Sequence, residues 1–215
     1  MQISLMLMIL TVTMKLSLKG EKPLYAVDCN PQDATLVASG GGDNLVWLWR
    51  IGREDKANEL KGHTDSISCL YFSKDGQLLA SGGLDACVKI WDNSGNLKCT
   101  FDGPDEGHEF EVGKKQKIIC TGSLDATLRI WNPRSGRGNI VKGYWSFSSH
   151  SSAIQCIGVS TSMPWVATGG ADNKLVIWDL QHSACRSSFE YQDDVSCLLW
   201  LGESRYVASA CGNGR

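Results

Sequence analysis

A histidine, a hydroxyl and an aspartate held in one register are the groups a hydrolase uses to activate a nucleophile, and this sequence carries the set twice. His63 is followed by Ser81, Asp85 and Trp91 at offsets of 18, 22 and 28, and His150 is followed by Thr168, Asp172 and Trp178 at the same offsets. A catalytic centre needs one copy, and its serine sits in a G-x-Ser-x-G elbow in many hydrolases; that elbow is absent from the sequence. Two incomplete copies are also present: Ser39, Asp43 and Trp49, with Glu21 where the histidine should stand, and Thr121, Asp125 and Trp131, with Gly103 there. A constellation that recurs with a period reads as scaffolding. A buried carboxylate must be paired, and each group left unsatisfied costs about 1–3 kcal/mol.

Other chemistry is not indicated. No G-x-x-x-x-G-K-Ser/Thr loop, H-E-x-x-H or EF-hand loop occurs, and Gly40-Gly41-Gly42 falls at a turn where the other copies also carry glycine, so no cofactor is expected. Cys69, Cys156 and Cys197 each lie 12 residues before Ser81, Thr168 and Ser209. They occupy one position in successive units, where they read as small buried hydrophobes rather than ligands converging on a metal.

The elements that position these residues recur with them. Val37-Ala38-Ser39-Gly40, Leu79-Ala80-Ser81-Gly82, Ile119-Cys120-Thr121-Gly122 and Val166-Ala167-Thr168-Gly169 each precede their Asp and Trp in one register, and the tryptophans follow each other at steps of 42, 40 and 47 residues. A period of about 40–45 residues marks propeller blades. Short segments such as Ile67–Phe72, Leu78–Ser81 and Val88–Trp91 are rich in β-branched and aromatic residues and bounded by Gly, Asp and Ser, as strands are. Gly82-Gly83-Leu84-Asp85 and Gly169-Gly170-Ala171-Asp172 are expected as tight turns in which glycine takes a positive φ.

This register divides the chain into an apolar segment, 1–20, with Leu16 to Lys19 expected as an outer strand; blade 1, 21–63; blade 2, 64–103; blade 3, 104–149, with a truncated first strand and an irregular linker; blade 4, 150–190; and a partial blade 5, 191–215. The fold class is all-β, four full or nearly full blades plus a partial fifth.

Composition narrows the partners. Across 215 residues, 21 basic against 23 acidic side chains give a formal charge of −2, which offers no footprint for a phosphate backbone, so nucleic acid is not an expected partner. Lys114-Lys115-Gln116-Lys117 reads as a solvated turn. Nine cysteines with no C-x-x-C pair, and no N-x-Ser/Thr sequon, suit a reducing compartment. The apolar run Ile3 to Val12 is shorter than the ~20 residues that span a bilayer, and no membrane association is expected.

These blocks resemble the WD-repeat β-propeller family. The resemblance implies that His, Asp, Ser or Thr, and Trp form a hydrogen-bonded chain that locks the inner turn of each blade to its third strand. Leu24 to Asp43, Gly76 to Gly107, Ala126 to Pro133 and Pro164 to Gly170 are further similar to the angio-associated migratory cell protein family, a likeness running over roughly residues 24 to 213. Members of that family are close to twice as long, with seven or eight blades. Against them this chain skips material near Glu109 to Lys115 and Ser135 to Ser146 and lacks the end, so an open, incomplete ring is expected. The resemblance implies a non-catalytic scaffold, cytoplasmic and partly nuclear, acting as a ribosome-assembly chaperone or signalling adaptor. Its partners would be other proteins, including a basic ribosomal protein, with no small-molecule substrate. Asp102, Asp105, Glu106, Asp193 and Asp194 are the acids such a client would meet. Ile130-Trp131-Asn132-Pro133-Arg134 also resembles the W-D-x-R box of cullin-ligase substrate receptors, with Asn for Asp, which is the alternative reading beside a non-functional truncated product.

Overall fold

The apolar runs bounded by Asp, Gly and Ser form strands of two to seven residues in a computed structural model, which describes residues 22–52, 57–102, 108–112, 119–131, 140–141 and 145–214. Among the described residues there are nineteen strands and no helix. Residues 1–21, including the outer strand expected at Leu16 to Lys19, lie outside them.

The strands form five sheets, antiparallel except for one parallel pair. The first runs β1 (Leu24–Cys29), β2 (Leu36–Gly41), β3 (Val46–Arg50) and β4 (Asn58–Leu60). The second runs β5 (Ile67–Phe72), β6 (Leu78–Gly83), β7 (Cys87–Asp92) and β8 (Leu97–Asp102). In the third, β9 (His108–Val112), β10 (Ile119–Ser123) and β11 (Thr127–Trp131) are followed by β13 (Trp145–Ser148). The fourth holds β14 (Ile154–Val159), β15 (Trp165–Gly170), β16 (Lys174–Asp179) and β17 (Ala184–Glu190), and the fifth pairs β18 (Val195–Trp200) with β19 (Val207–Cys211). One short strand crosses between units. β12 (Ile140–Val141) lies in sequence between strands of the third sheet, yet it pairs parallel with the outer strand β8 of the second, Ile140 opposite Thr100.

Successive sheets stack by one rule. Each first strand sends alternate residues to opposite faces, as strands must. Ile67, Leu70 and Phe72 of β5 pack back against Leu36, Ala38, Val46 and Leu48 of the first sheet. Cys69 and Tyr71 face forward, into a cluster with Ile119 and Trp131 of the third sheet. The third and fourth sheets meet through Leu128 and Ile130 against Ile154, Val159 and Val166, and the fourth and fifth through Cys156, Ala167, Leu175 and Ile177 against Val195, Leu198 and Trp200. Each interface therefore joins a forward face to a backward face, and every inner sheet is buried on both.

The glycines serve this stacking, which corrects the turn expectation. Gly82, Gly83, Gly169 and Gly170 lie within β6 and β15, and none of them has a positive φ. What they need is the missing side chain. A Cβ on Gly40 would lie 2.7 Å from Ile67 Cγ2, one on Gly122 2.5 Å from Ile154 Cγ2, and one on Gly169 2.5 Å from Val195 Cγ1. The left-handed residue of each turn is instead the one after the Asp: Asn44 (φ 66°), Ala86 (φ 60°), Ala126 (φ 66°) and Asn173 (φ 63°).

An L-residue in that conformation costs roughly 1–2 kcal/mol unless it is Gly or Asn. Ala126→Asn, which copies the residue at two of the other three turns, should raise stability by roughly 0.5–1 kcal/mol in urea unfolding. An unchanged or lowered midpoint would show that the turn does not carry this strain.

Candidate functional site

In the second sheet, Ser81 sits mid-strand on β6, opposite Lys89 of β7, with Trp91 two residues further along β7, while His63 arrives on the loop from β4 to β5 and Asp85 on the β6–β7 turn. Trp91 Nε1 donates to Ser81 Oγ at 2.8 Å, Ser81 Oγ lies 2.8 Å from His63 Nε2, and His63 Nδ1 lies 2.9 Å from Asp85 Oδ2. The Asp85 carboxylate also accepts the backbone N–H groups of Thr64 at 2.9 Å and Cys87 at 3.1 Å. The fourth sheet repeats this: Trp178 Nε1 to Thr168 Oγ1 at 2.7 Å, Thr168 Oγ1 to His150 Nε2 at 2.8 Å, and His150 Nδ1 to Asp172 Oδ1 at 2.9 Å. Gly83 and Gly170 make room for it, since a Cβ on either would lie 2.5–2.7 Å from the Asp oxygen and the histidine Nδ1.

Burial alone would raise the carboxyls of Asp85 and Asp172, but the bonds from His63, Thr64, His150 and Ser151 outweigh it and hold both below the ordinary value of 3.8. With the carboxylate charged, His63 Nδ1 donates to it, the serine hydroxyl donates to Nε2, and the indole caps the serine oxygen. Proton donation then runs one way, from Trp through Ser and His to Asp. A serine hydrolase has the same order, with substrate where the indole stands. Ser81 and Thr168 are 0% exposed, and Trp91 and Trp178 are 2% and 1% exposed, so both hydroxyls are shut off from any substrate.

The copies without histidine keep one half of the chain and rebuild the other. Trp49 Nε1 donates to Ser39 Oγ at 2.8 Å, and Trp131 Nε1 to Thr121 Oγ1 at 2.9 Å. Asp43 is instead satisfied by Trp47 Nε1 at 2.8 Å, and Asp125 by Arg129 and by Thr127 Oγ1 at 2.6 Å. Trp47 and Arg129 hold the same place, two residues before the Trp of their unit. In the fifth sheet, Ser209 Oγ donates to the Tyr191 hydroxyl at 3.2 Å, so a tyrosine stands at the histidine's offset of 18. All three substitutes were findable in sequence by reading the register through the mismatch.

Two interblade contacts carry no such signal. On β1, Asp28 Oδ2 accepts the Phe72 N–H of β5 at 2.7 Å, and burial pushes its carboxyl above 3.8 despite that bond. Trp200 Nε1 of β18 donates to the Gly158 carbonyl of β14 at 2.9 Å.

The remaining candidates are scattered. Asp193 and Asp194 are half-buried beside β18, and the Asp194 carbonyl accepts the Gly212 N–H at 3.0 Å. Asp102 ends β8, its side chain outside the described set, while Asp105, Glu106 and Asn132 to Arg134 lie outside the described residues altogether. Cys69, Cys156 and Cys197 stand on β5, β14 and β18, no disulfide joins any of the nine cysteines, and no described group of three His, Cys, Asp or Glu is placed to hold a metal.

Two tests separate these roles. Ser81→Ala strands two buried donors or acceptors and should cost roughly 2–4 kcal/mol, whereas Ser39→Ala frees only the half-exposed Trp49 and should cost less; equal losses in chemical unfolding would contradict the chain described. Asp28 is raised in the folded state, so its charge lowers stability progressively as pH rises above 3.8. The stability difference between Asp28→Asn and wild type should therefore move in favour of Asn between about pH 4 and 7, and a constant difference would remove the assignment.

A family model described as "WD domain, G-beta repeat" matches residues 13–50, 55–92 and 142–179, more than half of the chain. The THO complex subunit 6 homolog of Danio rerio is 30% identical over 202 residues, 89% of this chain and 49% of that protein. The human angio-associated migratory cell protein is 31% identical over 90 residues, 42% of this chain and 19% of that protein. The chain thus spans about half, or less, of the length of these relatives. A chain in the crystal structure of a mitotic checkpoint complex superimposes with a TM-score of 0.79 at 19% identity, over 89% of this chain and 58% of that one, which shows the shared fold. With its repeated register and stacked four-stranded sheets, the chain belongs to the WD-repeat family of β-propeller proteins.

Proposed function

We propose that the chain is a non-catalytic scaffold that holds other proteins, of the angio-associated migratory cell protein type, with a basic ribosomal protein as client in the cytoplasm and nucleus. The observation that carries the reading is the sealing of the repeated His, Ser or Thr and Asp constellation: both complete copies are buried behind an indole and spent on joining strands. Part of what the stacked sheets leave for recognition is the rim of turns. Exposed Leu84 and Leu124 project at the β6–β7 and β10–β11 turns of adjacent sheets, each directly before its Asp. Apolar side chains at adjacent turns of a rigid frame suit a protein surface better than a small molecule, which takes a closed concave pocket. Two of the similar proteins are named as parts of multiprotein complexes, which supports the same reading.

The acids Asp193 and Asp194, with Asp102, Asp105 and Glu106, are assigned to the basic client. Complex formation with a purified large-subunit ribosomal protein should weaken steeply with salt. Asp193→Asn/Asp194→Asn should weaken it several-fold at low ionic strength and make little difference at high salt. Binding of the wild-type chain that is absent, or indifferent to salt, would overturn the assignment.

A further inference from the structure

Among the described residues, the second sheet alone has a fifth strand. The first, third and fourth sheets are complete at four, and the third fills its own outer place with β13, so β12 completes no blade. It lies on the outer edge of β8, Ile140 opposite Thr100 and Val141 opposite Phe101, parallel in a sheet whose other pairs are antiparallel.

The edge that receives it is held rigidly. Cys99 and Phe101 of β8 point forward and are buried in the cluster with Ile119 and Trp131. Thr100 points back, where its hydroxyl accepts a hydrogen bond from buried Lys89 at 3.2 Å. With side chains anchored on both faces, the backbone groups of the outer edge stand in line for a further strand.

β12 uses only part of this template, since β8 is six residues long and β12 two. Carried back along the chain, the same register would call on Asn139, Gly138 and Arg137 to face Cys99, Lys98 and Leu97. Asn and Gly are poor strand formers, and β12 ends where they begin. At that end of β8, Leu97 is 43% exposed and the Lys98 side chain 52%. Fixing one residue in extended form costs about as much as one ladder hydrogen bond returns, so a two-residue pairing is close to balance. A longer run of strand-forming residues adds cross-strand side-chain contacts and gains over it.

We infer that the outer edge of β8 docks an extended segment of another protein, laid parallel to β8, and that β12 is its weak resident in cis. The segment that fits continues the Ile-Val of β12 backward with apolar residues against Cys99 and Leu97. Between them, a small polar residue such as Thr suits Lys98, which is already paired with Asp92 at 2.8 Å. Main-chain bonds supply affinity and alternate side chains supply selectivity. Such a segment is neutral, unlike the basic client assigned above, and docks whether or not that client binds.

The test is a titration of the full chain with a fluorescently labelled, end-capped neutral peptide, Ser-Gly-Val-Thr-Val-Ile-Val-Gly-Ser. Wild type should bind it with little dependence on salt. Ile140→Gly/Val141→Gly weakens β12 without touching the four strands of any blade, and should bind the peptide several-fold more tightly because the competitor is gone. The same peptide N-methylated throughout donates no main-chain bond and should not bind. A photo-crosslinker at its N-terminal end should label the chain near Leu97, and one at its C-terminal end near Asp102. Absence of binding to both chains, equal affinity for both, undiminished binding of the N-methylated peptide, or labels in the reverse order would each overturn the inference.

Discussion

A β-branched side chain resting on the bare backbone of a glycine is the contact on which the rest of this structure depends. A small sheet with two apolar faces is not stable by itself, and it gains by laying each face on a neighbour. Interiors packed to crystal-like density leave no slack for an extra methyl. Ile67 on Gly40, Ile154 on Gly122 and Val195 on Gly169 therefore set how closely the sheets approach and in what register. The second glycine of the pair has a different task. Gly83 and Gly170 give space to the histidine and carboxylate behind them, and in the third sheet, where Gly103 falls at the histidine's offset, Ser123 holds that place.

This division of labour explains what was legible in the sequence and what was not. The Ser or Thr, Asp and Trp recur because they bond within one sheet, so their offsets survive as a period that a single chain displays. The glycines were visible for the same reason, but their purpose was misread: in local sequence a Gly-Gly before Leu-Asp resembles a turn, and only the neighbouring sheet shows that the missing Cβ matters. Asp28 and Trp200 were invisible because each bonds across an interface to a backbone group, Phe72 N–H in one case and the Gly158 carbonyl in the other. Such partners leave no mark on residue type. β12 escaped for a related reason, as two residues added to the edge of a preceding sheet have no period to announce them.

The substitutions for histidine show which part of the hydrogen-bonded chain is indispensable. Every unit with a Trp keeps its bond to Ser or Thr, and every Asp at the turn keeps a donor, but the donor is His63, His150, Trp47 or Arg129 as local space allows. The constraint is thus electrostatic rather than a demand for imidazole: a carboxylate that caps the turn's backbone N–H groups must have a further donor once it is partly buried. Asp85, Asp125 and Asp172 are all held below the ordinary carboxyl value in this way. Their contributions are present above 3.8 and lost as pH falls through the depressed values, opposite in sign to Asp28.

Because the turn carboxylates find their hydrogen-bond donors inside the frame, they draw on no residue of the rim. Residues beside the turns are then free to differ from unit to unit without disturbing the stack: Leu84 and Leu124 precede the Asp in two units, and Ala171 does so in a third. The interior and the rim therefore answer to separate constraints. The interior must repeat, since each sheet has to accept the next. The rim need not, and recognition of a partner can be written there in residues to which the repeat is indifferent. That separation makes a stacked-sheet frame suited to holding other proteins and poorly suited to burying a single reactive site. Its most reactive-looking groups are fully buried, with a tryptophan closing each of them off.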